Sequence, residues 1–280
     1  MVSFRAKRFS IVSTILIFGD STVDTGNNNF ISTIFKAIYS PYGEDFPGHI
    51  ATGRFSDGKF IPDMVVSKLG IKELVPPFLD PKLSDDDVKT GVSFAFAGTG
   101  YDDLTASVLI CSKTTFKGFK GLWVWMKEIY RLGCRTIVVA GLPPVGYLPI
   151  QESIAFQNPQ DRKCLEDQNL DPQAYNQKLS KLLGNSQPQL PGSTILYADI
   201  YTPLIDMVKN PHNYGLEQLN VGCCGTGLAE AGPLCNNETT TTCENQSKLM
   251  FWDSIHPTEA AYKLITESLL KQFVDHLNRN

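Results

Sequence analysis

Residues 10–21, SIVSTILIFGDS, decide the architecture. The run 10–18 is rich in β-branched and apolar side chains, which suits a strand buried on both faces. It stops at Gly19-Asp20, where a chain leaving a sheet turns. Runs of the same character recur at 91–97 (GVSFAFA), 136–140 (TIVVA) and 194–197 (TILY). Between them lie helical patterns at 30–39, at 62–69 behind Pro62, at 119–132, and at 172–183 with Asp171 as its cap. Strands alternating with helices predict an α/β fold, a parallel sheet covered by helices on both faces. Its functional groups belong on the loops at the carboxyl ends of the strands, where Ser21 stands.

The ends of the chain fit that plan. Arg5, Lys7 and Arg8 precede the apolar 11–18 run as in a secretory leader, but no small-residue cleavage site separates the run from Gly19-Asp20-Ser21, so it reads as a strand. After Pro257, read as a first-turn proline, Ala261, Ile265, Leu269 and Phe273 recur at four-residue steps, with Leu264 and Leu277 on the flank. This predicts an amphipathic helix packed on the sheet. From 210 to 252 the composition shifts to Gly, Asn, Thr and Cys, a stretch too long for a plain connection and expected to be held by internal bridges. With no internal repeat, residues 1–280 read as a single domain.

Composition narrows the function. A chain with 42% hydrophobic and 19% charged residues can bury a core, which excludes disorder as the main state. A net charge of -4 lacks the basic surplus that nucleic acid binding needs, and no apolar run reaches the ~18 residues of a transmembrane segment. The expectation is a soluble monomer. Four of the seven cysteines, Cys223, Cys224, Cys235 and Cys243, crowd one polar stretch beside the sequons at Asn237 and Asn245, which points to an oxidised, secreted glycoprotein. The crowd has no Cys-x-x-Cys pair, which argues against zinc.

The search for a general base is short, because the chain has four histidines. His49 and His212 lie in turn-like segments, and His276 sits in the last turn of the final helix, where a cation suits the dipole. His256 differs. In Asp253-Ser-Ile-His256-Pro257 a carboxylate three positions earlier can hold Nδ1 and set the tautomer, although any polar helix entry can carry such a pair. Ser21 is the matching nucleophile candidate, with backbone N–H groups at the strand end available to an oxyanion; the alternative is a serine that caps a helix. No G-x-S-x-G elbow, Walker A loop or H-E-x-x-H motif occurs.

These residues carry a resemblance. Phe18-Gly19-Asp20-Ser21-Thr-Val-Asp24-Thr-Gly26-Asn27-Asn28 resembles the first block of the plant GDSL-type esterase/lipases of the SGNH hydrolase superfamily. Further blocks follow in the family's order: GRFSDG at 53–58, GVSFAFAGTGYDD at 91–103, GLPPVG at 141–146, YAD at 197–199, GCCG at 222–225 and DSIHP at 253–257. The resemblance implies a flavodoxin-like three-layer α/β/α hydrolase that cleaves carboxylic esters through an acyl-enzyme, with no cofactor and no metal. It implies Ser21 as nucleophile, His256 as base and then acid, Asp253 as the group orienting His256, and an oxyanion hole from the N–H groups of Ser21 and Gly98. The partner is then a small-molecule acyl ester, of lipids or of wall components.

Two blocks depart from the family pattern. Its Gly-x-Asn-Asp segment, whose Asn is a third oxyanion donor on a central strand, has no counterpart, since no asparagine occurs from 101 to 157. The 105–135 interval, with Cys111 and the aromatic Trp123-Val-Trp125, leaves no room for a strand and crossover of ~30 residues. A central strand is therefore expected to be missing, so that either the first strand pairs directly with 136–140 and the site shifts, or the sheet keeps unpaired backbone and stability suffers. Tyr147 stands where the family commonly has a cysteine, which implies an unpaired Cys164 and bridges only among Cys223, Cys224, Cys235 and Cys243, connectivity open. The expected function is ester hydrolysis, impaired by the lost donor. The alternatives are an inactive, truncated relative acting as a binding protein and, behind it, a metal module on the cysteines.

Overall fold

A computed structural model describes residues 12–99, 118–156, 158–238 and 240–279. Its elements run β1 (Ile15–Ile17), α1 (Ile61–Lys68), α2 (Asp85–Thr90), β2 (Gly91–Ser93), α3 (Gly118–Arg131), β3 (Thr136–Ala140), α4 (Pro149–Ala155), α5 (Leu170–Ser186), β4 (Thr194–Ala198), α6 (Tyr201–Lys209), β5 (Gln218–Gly222), β6 (Leu249–Phe251) and α7 (Glu259–Arg279). Among the described residues the pairs of strands are parallel, as in a three-layer α/β/α fold: β1 with β2, β3 with β4, and β5 with β6.

The first strand is shorter than its apolar run. Its pairing nevertheless continues past its end, through Phe94 N–H to Ile17 O (2.7 Å) and Phe96 N–H to Gly19 O (3.1 Å). Residues 30–39 form no helix; a 3-10 turn at Asn27–Phe30 is followed by irregular chain. Asp171 lies inside the first turn of α5, not at its cap. Pro257 precedes α7, and the Thr258 hydroxyl accepts the N–H of Ala261 (3.1 Å) in its place. On α7, Ala261, Tyr262 and Ile265 are buried, with Leu264 and Leu269 packed at the margin. The side chain of Leu277, residues 100–103 and Cys111 lie outside the described residues, as do Arg5, Lys7 and Arg8.

Of the two expected outcomes, closure of the sheet does not occur among the described residues. Among the described residues β1 pairs only with β2 and β3 only with β4. Leu16 on β1 is 49% exposed and Val138 on β3 55% exposed, so each strand keeps an uncovered apolar face beside this seam. Side chains cross where backbone does not: Trp125 of α3 meets Phe18 edge-on, ring centroids 4.9 Å apart. Two clusters of buried side chains match this division. One joins Tyr42, Phe55, Phe60, Ala97, the β6 residues, Trp252 and α7; the other joins Leu122 and Met126 of α3 to β3, β4, Leu179 and Leu183. Ser21, Asp253 and His256 all belong with the first, so the seam does not cut through them and the predicted shift of the site does not follow.

The 210–252 stretch is no plain loop, since it carries β5 and β6. Its bridges are Cys223–Cys243 and Cys224–Cys235, both internal to the stretch, and Cys164 is free. The Tyr147 hydroxyl donates to Glu166 (2.9 Å) beside that thiol, whose titration is pushed up to about 11, mainly by burial.

Candidate active site

Ser21 lies on a turn, closed by Val23 N–H to Asp20 O (3.2 Å), and not at a helix start. The Asp20 carboxylate accepts from the Thr22 N–H (2.9 Å) and hydroxyl (2.7 Å), which fixes the turn from below. Just downstream, buried side chains clamp the Ser21 loop onto the chain leaving β2. Asp24 accepts from the N–H groups of Gly26 (2.9 Å), Asn27 (2.7 Å) and Ala97 (3.1 Å). Asn27 Nδ2 donates to Ser93 O and Ala95 O, and Asn28 Nδ2 to Phe35 O and Ala97 O. Burial pushes the Asp24 carboxyl up to about 6. Gly98 then sits in a turn closed by Thr99 N–H to Phe96 O, at a φ of 87° that suits glycine.

The other half of the site follows β6. Cys223 N–H donates to Phe251 O (3.1 Å) and Cys224 N–H to Trp252 O (2.8 Å), extending the β5–β6 pairing to the residue before Asp253. Gly222 is required there, because a Cβ would meet the Asp253 backbone at 2.6 Å. Trp252 N–H donates to His256 O (2.8 Å), closing the turn that carries the acid and the imidazole. Asp57, pushed up to about 7 by burial, accepts from Glu259 N–H, while Ser56 Oγ donates to Pro257 O, so the turn is also held from the 53–58 block.

The three sequence-predicted groups meet in series. His256 Nε2 lies 2.8 Å from Ser21 Oγ, and Nδ1 lies 2.9 and 2.8 Å from Asp253 Oδ1 and Oδ2. Asp253 is fully buried, His256 is nearly so, and the Phe55 ring covers the imidazole at 5.1 Å between centroids. Among the described residues, neither the Ser21 N–H nor the Gly98 N–H is taken by a backbone acceptor. A hydroxyl, an imidazole and a carboxylate so ordered can act as nucleophile, base and orienting acid. Sequence reading missed Tyr42, whose hydroxyl donates to Asp253 Oδ2 (2.8 Å) from 211 positions away. It also missed the clamping roles of Asp24, Asn27 and Asn28, although these stand inside the 18–28 motif. His49 and His212 stay outside the site; His49 Nδ1 contacts Glu44 O on an exposed turn.

This constellation on a parallel α/β scaffold is that of the serine hydrolases as a class. Residues 125–269 match the profile of the GDSL-like Lipase/Acylhydrolase family, a segment that contains Asp253 and His256. One GDSL esterase/lipase of Arabidopsis thaliana is 43% identical over 94% of this chain and 89% of its own length; another is 44% identical over 94% and 90%. The chain belongs to this family. The first alignment spans 323 positions against 280 residues here, so at least 323 − 280 = 43 of its positions have no counterpart in this chain.

Proposed function

We propose that this chain is a serine ester hydrolase acting on small acyl esters, of lipids or of wall components, without a cofactor. The reading rests on one observation, the 2.8 Å approach of Ser21 Oγ to an imidazole whose other nitrogen is held by Asp253. Ser21 Oγ attacks the acyl carbonyl while His256 Nε2 takes its proton. The negative oxygen of the tetrahedral adduct is met by the N–H groups of Ser21 and Gly98. The alcohol leaves with the proton from Nε2, and the acyl group stays on Ser21. A water, deprotonated by Nε2, attacks the acyl-enzyme; release of the carboxylic acid returns the proton to Ser21.

Two N–H donors without the side-chain amide of the missing segment make a slow enzyme: one donor is worth ~10² to 10³ in turnover. The two bridges suit an oxidising compartment and hence secretion, and the sequon at Asn245 is exposed. The test compares the native chain with Ser21→Ala on a short-chain chromogenic ester and with a serine-directed fluorophosphonate. Ser21-dependent turnover and labelling are expected. Absence of both supports the second reading, favoured by the lost donor, of an ester-binding protein without catalysis.

A further inference from the structure

We infer that Tyr42 is a positioning residue of this site, a fourth group in line that sets the strength with which Asp253 holds His256. The inference rests on the hydrolase reading for its consequence in turnover, but its geometry stands alone. Tyr42 is 2% exposed, and its hydroxyl has one donor and one acceptor function in use. It donates to Asp253 Oδ2 (2.8 Å) and accepts the N–H of Gly232 (2.8 Å), which aims it. Gly232 opens the turn that ends at Cys235, so the hydroxyl is braced by the bridged loop. Burial and the facing carboxylate raise the phenol well above its usual range, so it stays a donor.

Asp253 Oδ1 takes the N–H groups of Ile255 and His256 (2.8 and 2.7 Å) and also lies 2.9 Å from His256 Nδ1, which is 2.8 Å from Oδ2. Oδ2 is shared between Tyr42 and Nδ1 of His256. Two donors on one oxygen compete for its electron density, so a weaker Tyr42 bond strengthens the Nδ1–H bond and a stronger one weakens it. The ring of Tyr42 also packs edge-on to Phe55 (5.9 Å), the residue that covers His256, so loss of the hydroxyl alone leaves the packing in place.

The experiment uses the full chain in three forms: native, Tyr42→Phe, and Tyr42 replaced by a difluorotyrosine, a stronger donor of nearly the same shape. The first readout is the far-downfield proton resonance of the His256 Nδ1–H, assigned by its loss in Asp253→Ala. It is independent of turnover, so it decides the inference even if the chain proves inactive on esters. Tyr42→Phe is expected to move the resonance further downfield and difluorotyrosine to move it back. The second readout is kinetic: kcat falls about tenfold in Tyr42→Phe because the Asp253 carboxylate loses the hydrogen bond that fixes its position, the scale of a hydrogen bond to a charged group, with KM unchanged. A resonance that stays put in both variants overturns the inference. If Tyr42→Phe fails to fold, the resonance of the difluorotyrosine form decides alone: an upfield move supports the inference and no move overturns it. Failure of Ser21 labelling in the native chain would count against the hydrolase reading and not against Tyr42.

Discussion

Asp253→Asn tests the site most directly, because the structure dictates how the new amide must sit. The N–H groups of Ile255 and His256 both point at Oδ1, at 2.8 and 2.7 Å, so the amide oxygen must occupy that position. The NH2 then falls at Oδ2, 2.8 Å from His256 Nδ1 and 2.8 Å from the Tyr42 hydroxyl. Nδ1 then faces the amide oxygen at 2.9 Å and the NH2 at 2.8 Å, and the closer donor favours the tautomer with its proton on Nε2, the atom that takes the proton of Ser21 in the proposed mechanism. In a triad this error costs ~10⁴ in kcat, roughly 5.4 kcal/mol of barrier at 1.36 kcal/mol per tenfold. The fold loses far less, since shape is kept and charge-assisted hydrogen bonds become neutral ones, about 1.5–3 kcal/mol. The assay is kcat on a short-chain chromogenic ester, with thermal unfolding measured on the same samples and Ser21→Ala as the floor. A cooperatively unfolding Asp253→Asn protein that keeps more than about a tenth of native turnover would refute the tautomer argument.

Three further outcomes are expected. Asp24 and Asp57 are pushed up to about 6 and about 7 by burial, so each favours the fold fully below its ordinary 3.8 and ceases to as pH rises through the higher value. Native protein should therefore lose more melting temperature between pH ~4 and ~7 than Asp57→Asn does; equal slopes would contradict the assignment. Opening Cys224–Cys235, which closes 11 positions, with paired serine substitutions should cost about 3 kcal/mol in denaturant unfolding, and peptide mapping that finds Cys223 joined to Cys235 would contradict the pairing. Val138→Lys, at an exposed β3 position, should raise the temperature at which light scattering begins and leave kcat unchanged; unaltered scattering would mean that the seam is not the sticky surface.

The sequence displayed the chemistry better than the supports. Strands at 136–140 and 194–198 and the helices at 61–68, 118–131 and 170–186 were legible because each has a period or apolar run that survives packing. The 30–39 segment has apolar residues at helical spacing too, but Ile34 and Ile38 point outward and its carbonyls serve distant partners: Phe35 O takes Asn28 Nδ2, and Ala37 O takes the N–H of Gly53. Such tertiary bonds outcompete a marginal local helix. Strand β6, three residues long, offers no period at all. Ser21, Asp253 and His256 could be singled out because they stand in blocks that resemble the family's, although the spacing of each alone is weak. Tyr42 could not, since only the folded path of the chain carries it to Asp253.

The Ser21–His256 hydrogen bond spans 235 positions, and both partners are fixed by clamps built from other remote segments. Contacts with such long loops between them form late when a chain refolds. Reactivity at Ser21 is therefore a clock for the last stage of assembly: in a refolding time course, far-ultraviolet circular dichroism should recover before fluorophosphonate capture does.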